Sequence, residues 1–476
     1  MPPAKKTAKK PAKKPAKKPA RKPAAKASNK KPWVEDEVCE IGKYGAEPYA
    51  LPEGIDYEKH VIATYYVEFP AALDVVALAP VIAIEQSTGT WTPVPGETPE
   101  IRARHVAKVV NVFEAPCYEY IVPDDVKDRQ WIVQVAFPAA NIENQIPMLL
   151  TACLGNISMA GRLKLLDLRM PKAILAGYQG PKFGIDGIYK ALGIPKNKRR
   201  PLLNNMIKPC SGYPVKVGTD LFYQAAAGGC DVIKDDELIA DMDYNHVLDR
   251  VKAYMKMEKR VFEDTGEHTL YTVNVTDRLP KMFELAKRVV DAGGNALMVN
   301  YLAIGPEAMR TLAEDKDINV PILAHMDCAG AYYMSPHHGV SSSIILGKLP
   351  RLAGADTVVV PFAMGGKAPY LPGRFRQVIQ ALTFPFGDLK PMMPMPSGGI
   401  TPINVQDIYN TLGNEVMIGS GGGVHAHPDG PISGGRAFRQ AIEAALKGIP
   451  AMEYGKEHEE LGKALGIWGV KTEFKV

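Results

Sequence analysis

From about residue 181 onward, short apolar runs alternate with longer amphipathic ones, and this pattern constrains the fold more than any other feature of the chain. CDVIKDD, HTLYTVNVT, ALMVNYL, VPILAHM, TVVVPFA, PMMPMPSGG and EVMIGSGGG read as strands. Each is followed by a helical pattern, such as NHVLDRVKAYMKMEKRVFEDTG or PKMFELAKRVVDAGG. Polar residues and glycines gather where each strand ends. A strand buried on both faces is apolar along its whole length, and a parallel neighbour requires a crossover connection. The pattern predicts a (β/α)8 TIM barrel over residues 181–476, with chemistry at the C-terminal ends of the strands. Periodicity alone leaves a doubly wound sheet open.

Ahead of the barrel the texture differs. HVIATYYVEF, WTPV, HVAKVVNVFE and RQWIVQVAFP read as strands, and a helical stretch follows Pro70. This predicts a small α+β domain over residues 33–180. Residues 1–32 repeat Lys-Lys-Pro-Ala and hold 13 Lys or Arg with no acid. Like charges repel, proline recurs and nothing apolar is large enough to pack, so the tail reads as disordered. It offers weak contact with polyanions through phosphate neutralisation, with no aromatic interleaved to stack on bases. The tail also disguises the body, which carries 44 bases against 52 acids, a net of −8.

Two function classes are disfavoured. No apolar run reaches 18 residues, so no membrane span is expected, and the N-terminus has no apolar secretory segment. Cys39, Cys117, Cys153, Cys210, Cys230 and Cys328 form no Cys-x-x-Cys pair. They read as reduced thiols of a cytoplasmic protein, not as a zinc site or a disulfide frame.

The sharpest segment is GGCDVIKDDE, residues 228–237. Strand alternation puts Lys234 and Asp236 on one face, and Glu237 reaches in from the turn. Carboxylates at a strand end suit a hard, oxygen-liking cation such as Mg²⁺. A lysine among three carboxylates otherwise reads as a structural ion pair. Glycine-rich loops after the last strand candidates, with Ser397, Gly398 and Gly399 in one and Gly421 and Gly422 in the other, present bare N–H groups that can cradle a phosphate.

The frame G-G-x-D-x-x-K-D-D-E resembles the metal-binding motif of the ribulose-bisphosphate carboxylase (RuBisCO) large chain, and the resemblance covers nearly everything after the tail. It implies a ferredoxin-like α+β N-terminal domain before the barrel, and Mg²⁺ held by Lys234, Asp236 and Glu237. In that family CO2 carbamylates the lysine, which turns a cation into an oxygen ligand. IEQSTGTW resembles the motif that places Glu85, Thr90 and Trp91 in a neighbouring subunit's site, and LGNISMAGRLKLLDLRMP supplies Asn156. MIKPCSG supplies Lys208, LAHMDCAGA supplies His325, and FAMGGKAP supplies Lys367 on a mobile loop. Shared sites imply at least a homodimer.

Three positions depart from the carboxylating members. Cys210 stands where their second lysine lies, Met326 follows His325 where they carry an arginine, and TVVVPFA holds no histidine. The arginine grips the distal phosphate of a bisphosphate, so its loss removes a charge-assisted contact. The resemblance therefore implies a RuBisCO-like enzyme that enolises a keto-sugar monophosphate, with the carbamate or Lys208 as base, Lys367 closing over the site and His325 bonding a substrate hydroxyl. Tautomerisation, isomerisation or decarboxylation remain open as the outcome. A genuine carboxylase and a non-catalytic protein docking on polyanions are the alternatives. His425, His427, Cys210 and Cys328 read as structural residues.

Overall fold

The computed structural model describes residues 48–89, 94–363 and 370–469. The basic tail, Thr90, Trp91 and Lys367 lie outside the described residues.

The first sheet is built from β1 (His60–Pro70), β2 (Lys108–Glu114), β3 (Asp128–Pro138) and β4 (Leu163–Arg169), in the antiparallel order β4-β1-β3-β2. Helices α1 (Val75–Glu85) and α2 (Pro99–His105) join β1 to β2, and α3 (Ile146–Cys153) joins β3 to β4. This is the ferredoxin-like βαββαβ arrangement. Alternation explains it. Val61, Ala63, Tyr65 and Val67 of β1 and Trp131, Val133, Val135 and Phe137 of β3 point into one core. Each fully buried aliphatic side chain of that set stabilises the fold by roughly 1.5–3 kcal/mol. Ile62 and Ala136, on the opposite face, pack with Ile55 and Val110 in a smaller cluster. Asp74 caps α1 by accepting a hydrogen bond from the Ala77 N–H at 3.2 Å.

Eight parallel strands then close into a barrel. They are β5 (Leu202–Met206), β6 (Val232–Lys234), β7 (Leu270–Asn274), β8 (Ala296–Val299), β9 (Ile322–Ala324), β11 (Thr357–Pro361), β12 (Met393–Ser397) and β13 (Met417–Ser420). Closure is made where β9 pairs with β11 and β13 pairs with β5. The doubly wound alternative is thereby excluded. Helix α4 (Gly184–Ala191) packs Ile185, Ile188 and Tyr189 against the inward residues Leu202, Val232, Leu270 and Val359, so it stoppers the N-terminal end. Outer helices follow the strands, among them α5 (Val215–Ala227), α6 (Val247–Thr265), α7 (Lys281–Asp291) and α8 (Pro306–Glu314). A short strand from the barrel half, β10 (Gly339–Val340), adds in parallel to β4 and extends the first sheet to five strands. Among the described residues no helix is long and apolar enough to cross a membrane.

Candidate active site at the C-terminal mouth of the barrel

Strands β5 and β6 end side by side, with Met206 opposite Lys234. Pairing in this register brings the residues just past β5 against those just past β6. Lys208 Nζ lies 2.7 Å from Asp236 Oδ2 and 2.9 Å from Cys210 Sγ. Burial disfavours the Lys208 charge, but the hydrogen bonds to Asp236 and Cys210 outweigh it and raise its pKa above the usual lysine value.

Lys234 is only 1 % exposed, and its ammonium donates to the Asp235 carbonyl at 2.8 Å and to Glu237 Oε2 at 3.1 Å. Burial alone would raise the Glu237 pKa, but the charges of Lys234 and His325 pull it down to about 2. Between these inward groups, Asp235 turns the other way. It accepts from Arg250 Nη2 at 2.9 Å, the Tyr271 hydroxyl at 2.7 Å and the Asn274 N–H at 3.0 Å. Alternation along the strand end thus separates Lys234 and Asp236 from an acid whose contacts are structural.

His325, one residue past β9, joins the group, with Nε2 3.2 Å from Glu237 Oε2 and Nδ1 2.9 Å from Asp327 Oδ2. Donor atoms of Glu237, His325 and Asp327 all lie within 4.8 Å of one another. This cluster shares only Glu237 with the set expected from sequence. Asp236 instead faces Lys208 and, through Oδ1, the Leu238 N–H at 3.3 Å.

Ser397 closes β12, and Gly398 and Gly399 follow with φ of +104° and +78°, which L side chains rarely adopt. Gly421 is needed for a different reason. A Cβ there would lie 2.8 Å from Lys208 Cε, so the lysine stem packs on the bare backbone that opens the short helix α9 (Gly422–His425). Gly422 has open space around it. In the first domain, Asn156 Nδ2 donates to Glu85 Oε1 at 3.1 Å, which ties the end of α1 to the turn after α3.

Four polar residues at this mouth escaped the sequence reading. Asn274 and Asn300, at the ends of β7 and β8, donate to the backbone carbonyl of Glu237 at 3.4 and 3.1 Å, and so pin the turn that carries it. Asn205 Oδ1 pairs with His425 Nε2 at 3.0 Å, and its Nδ2 donates to the Ser420 carbonyl at 3.0 Å. His425 is therefore at the site, and burial together with the Lys208 charge lowers its pKa to about 4. His427, by contrast, is structural as expected, bonded to the Glu460 carbonyl and the Asp429 N–H. Asp327 is the fourth, visible in sequence only as an acid two places beyond His325. The five described cysteines are free. A cavity of about 330 Å³ near the N-terminal end of β5 is lined by Arg200, Arg436 and Arg439, but these pair with Asp231, Glu267 and Glu460 and offer no free charge cluster.

Comparison with known proteins decides the family. Residues 185–468 match the family model described as ribulose bisphosphate carboxylase large chain, catalytic domain, and residues 51–174 match its N-terminal domain. The chain belongs to the RuBisCO large-chain family. A ribulose bisphosphate carboxylase-like protein of Archaeoglobus fulgidus is 54 % identical over 425 residues, which is 89 % of this chain and 96 % of that one. A 2,3-diketo-5-methylthiopentyl-1-phosphate enolase of Bacillus licheniformis is 36 % identical over 409 residues, covering 86 % of this chain and 98 % of the relative. The crystal structure of a rubisco-like protein from Alicyclobacillus acidocaldarius superposes with a TM-score of 0.79 at 36 % identity, covering 86 % of this chain and all of the other.

Proposed function

We propose that this chain is a RuBisCO-like, Mg²⁺-dependent enzyme that enolises a keto-sugar monophosphate. The observation that carries the reading is the juxtaposition of Lys208, Asp236, Glu237 and His325 at one barrel mouth, without the two basic residues replaced by Cys210 and Met326.

The donor set fits a hard divalent cation. Asp236 and Glu237 offer carboxylate oxygens, and Lys234 would supply a third oxygen ligand as its carbamate. A free ammonium cannot ligate, and burial of Lys234 beside Glu237 keeps it where an added carboxylate would meet the same cation. When bound, Mg²⁺ supplies Lewis-acid polarisation of the substrate's carbonyl. The Lys234 carbamate would take the proton from the adjacent carbon; Lys208 would do so only from its neutral form, which its pairing with Asp236 and Cys210 disfavours. His325 bonds a substrate hydroxyl beside Glu237. The N–H groups after β12 and β13, at Gly398, Gly399, Gly421 and Gly422, hold the phosphate. Lys367, by resemblance, closes over the reacting atoms, and Glu85, Thr90, Trp91 and Asn156 complete the site of a second copy.

No arginine follows His325 at the end of β9. Met326 packs against the hydrophobic core, so the end of β9 presents Asp327 and no cation to a distal phosphate. The 36 % identity to a 2,3-diketo-5-methylthiopentyl-1-phosphate enolase makes that monophosphate the first substrate to try.

The test is Mg²⁺-dependent exchange of the α-proton of that compound into deuterated water, alongside labelled CO2 incorporation from ribulose bisphosphate. Exchange without incorporation is expected. Robust carboxylation would replace this reading with that of a genuine carboxylase. Dilution to monomer should abolish exchange, and full activity from a proven monomer would refute the shared site.

A further inference from the structure

We propose that Asp327 is a positioning residue that fixes the ring of His325 through Nδ1 and acts on the reaction only through that histidine. The activity readout below rests on the function proposed above, but the geometry does not.

His325 is 5 % exposed and reaches the site as the first residue beyond β9, its N–H bonded to the Val299 carbonyl at 2.8 Å. A buried imidazole has two nitrogens with different duties, and a partner on one decides what the other can do. Here Asp327 Oδ2 stands 2.9 Å from Nδ1. An ionised carboxylate only accepts, so Asp327 calls for a proton on Nδ1, whatever Nε2 carries toward Glu237. Nε2 is then aimed toward Glu237, at 3.2 Å, where substrate oxygens must pass to reach the carboxylates.

The backbone is bent to make this contact. Asp327 and Cys328 are the central residues of a turn closed by the Ala329 N–H donating to the Met326 carbonyl at 3.0 Å. Cys328 holds φ +66°, a left-handed conformation that normally calls for glycine in this place. Glu143 is the one other non-glycine residue with positive φ among the described residues. Strain of this kind persists where surrounding structure over-determines it, and it clusters at functional sites. The turn reverses the chain so that Asp327 faces back onto His325, while Met326 packs, partly buried, against the core.

Two measurements test this. In protein labelled with ¹⁵N-histidine, the His325 signals, assigned by their loss in His325→Gln, should show a proton on Nδ1. That signature should vanish in Asp327→Ala and survive in Asp327→Asn, whose amide oxygen can still accept. In α-proton exchange, Asp327→Ala should lower kcat about 10–100-fold, as loss of an orienting partner generally does, with KM nearly unchanged. Added to His325→Gln, it should cost less than about 2-fold further, because groups that act as one unit are not additive. A wild-type ring without the Nδ1 proton would overturn the proposal. So would a full multiplicative loss in the double variant, or a change confined to KM, which would make Asp327 a substrate-binding group in its own right. If the wild type shows no exchange at all, the functional reading fails while the ring signature still decides the positioning role.

Discussion

Arg250→Met should be among the most damaging single changes to the barrel, although Arg250 touches neither Lys234 nor Glu237. Both partners of the Arg250–Asp235 pair are 0 % exposed. The guanidinium also donates to the Tyr271 hydroxyl at 3.1 Å and to the carbonyls of Ala240 and Asn245 at 3.2 and 2.8 Å. Its removal leaves Asp235 a buried charge held only by the Tyr271 hydroxyl and the Asn274 N–H. Breaking a buried pair from one side costs about 3–5 kcal/mol, and with those carbonyls also stripped the upper half of that range applies. Replacing both partners, as Asp235→Leu with Arg250→Met, removes the stranded charge and should recover at least about 2 kcal/mol. Because Asp235 lies between Lys234 and Asp236, the single variant should also weaken Mg²⁺ binding about tenfold. Urea unfolding followed by circular dichroism and a Mg²⁺ titration measure the two effects. A single variant within about 1 kcal/mol of wild type, or a double variant no more stable than the single, would refute the reasoning.

Lys208→Met should reduce α-proton exchange by about 10²–10⁴-fold if Lys208 is the base, whereas a loss under tenfold would hand the role to the Lys234 carbamate. His425 has a folded value of about 4, below the unfolded 6.5. The unfolded chain therefore binds the extra proton first, and the stability this group contributes is present above pH 6.5 and lost as pH falls toward 4. Its size is ~3 kcal/mol at most, and His425→Gln should flatten that part of the stability–pH curve; an unchanged slope would contradict the assignment. Cys328→Gly relieves a left-handed strain of roughly 1–2 kcal/mol but loosens the unfolded chain, so a net gain of up to about 1 kcal/mol in urea unfolding is expected, and a net loss would mean that the Cys328 side chain contributes packing.

How much of this was legible depends on whether a feature is written in one stretch of chain or in the pairing of two. A parallel sheet with crossover helices was legible from continuous apolar strands between amphipathic helices, but periodicity left a doubly wound sheet open, and closure shows only where β9 pairs with β11 and β13 pairs with β5. The placement of Lys234 and Asp236 on one side and Asp235 on the other followed from period-two alternation, and the three hydrogen bonds on Asp235 bear it out. The pinning of Glu237 by Asn274 and Asn300 was not legible, since an asparagine at a strand end is also a common turn residue. His425 read as a loop histidine because its partner, Asn205, is 220 positions away and becomes its neighbour only when β13 closes on β5. The fifth strand of the first sheet, β10, is two residues long and too short for any periodicity to announce it.

Under the proposed function, the placement of the departures within the barrel would let one scaffold keep its proton chemistry and change its substrate. The groups that could move a proton next to a carbonyl sit on β5 and β6, where Lys208, Lys234 and Asp236 come from adjacent strand ends in fixed register. Met326 and Asp327 follow β9, across the mouth, and touch that machinery through His325 and Glu237 alone among the contacts described. Met326, partly buried, packs against the core. Cys210 is the exception, because it lies 2.9 Å from Lys208 Nζ and so sits inside the proton-handling half. A change there would alter the charge at Lys208, while a change after β9 would, on the proposed function, alter the wall that meets the substrate. If the separation holds, restoring lysine at position 210 should shift the rate of proton exchange with little effect on which sugar phosphate is chosen, and changes at position 326 should do the reverse.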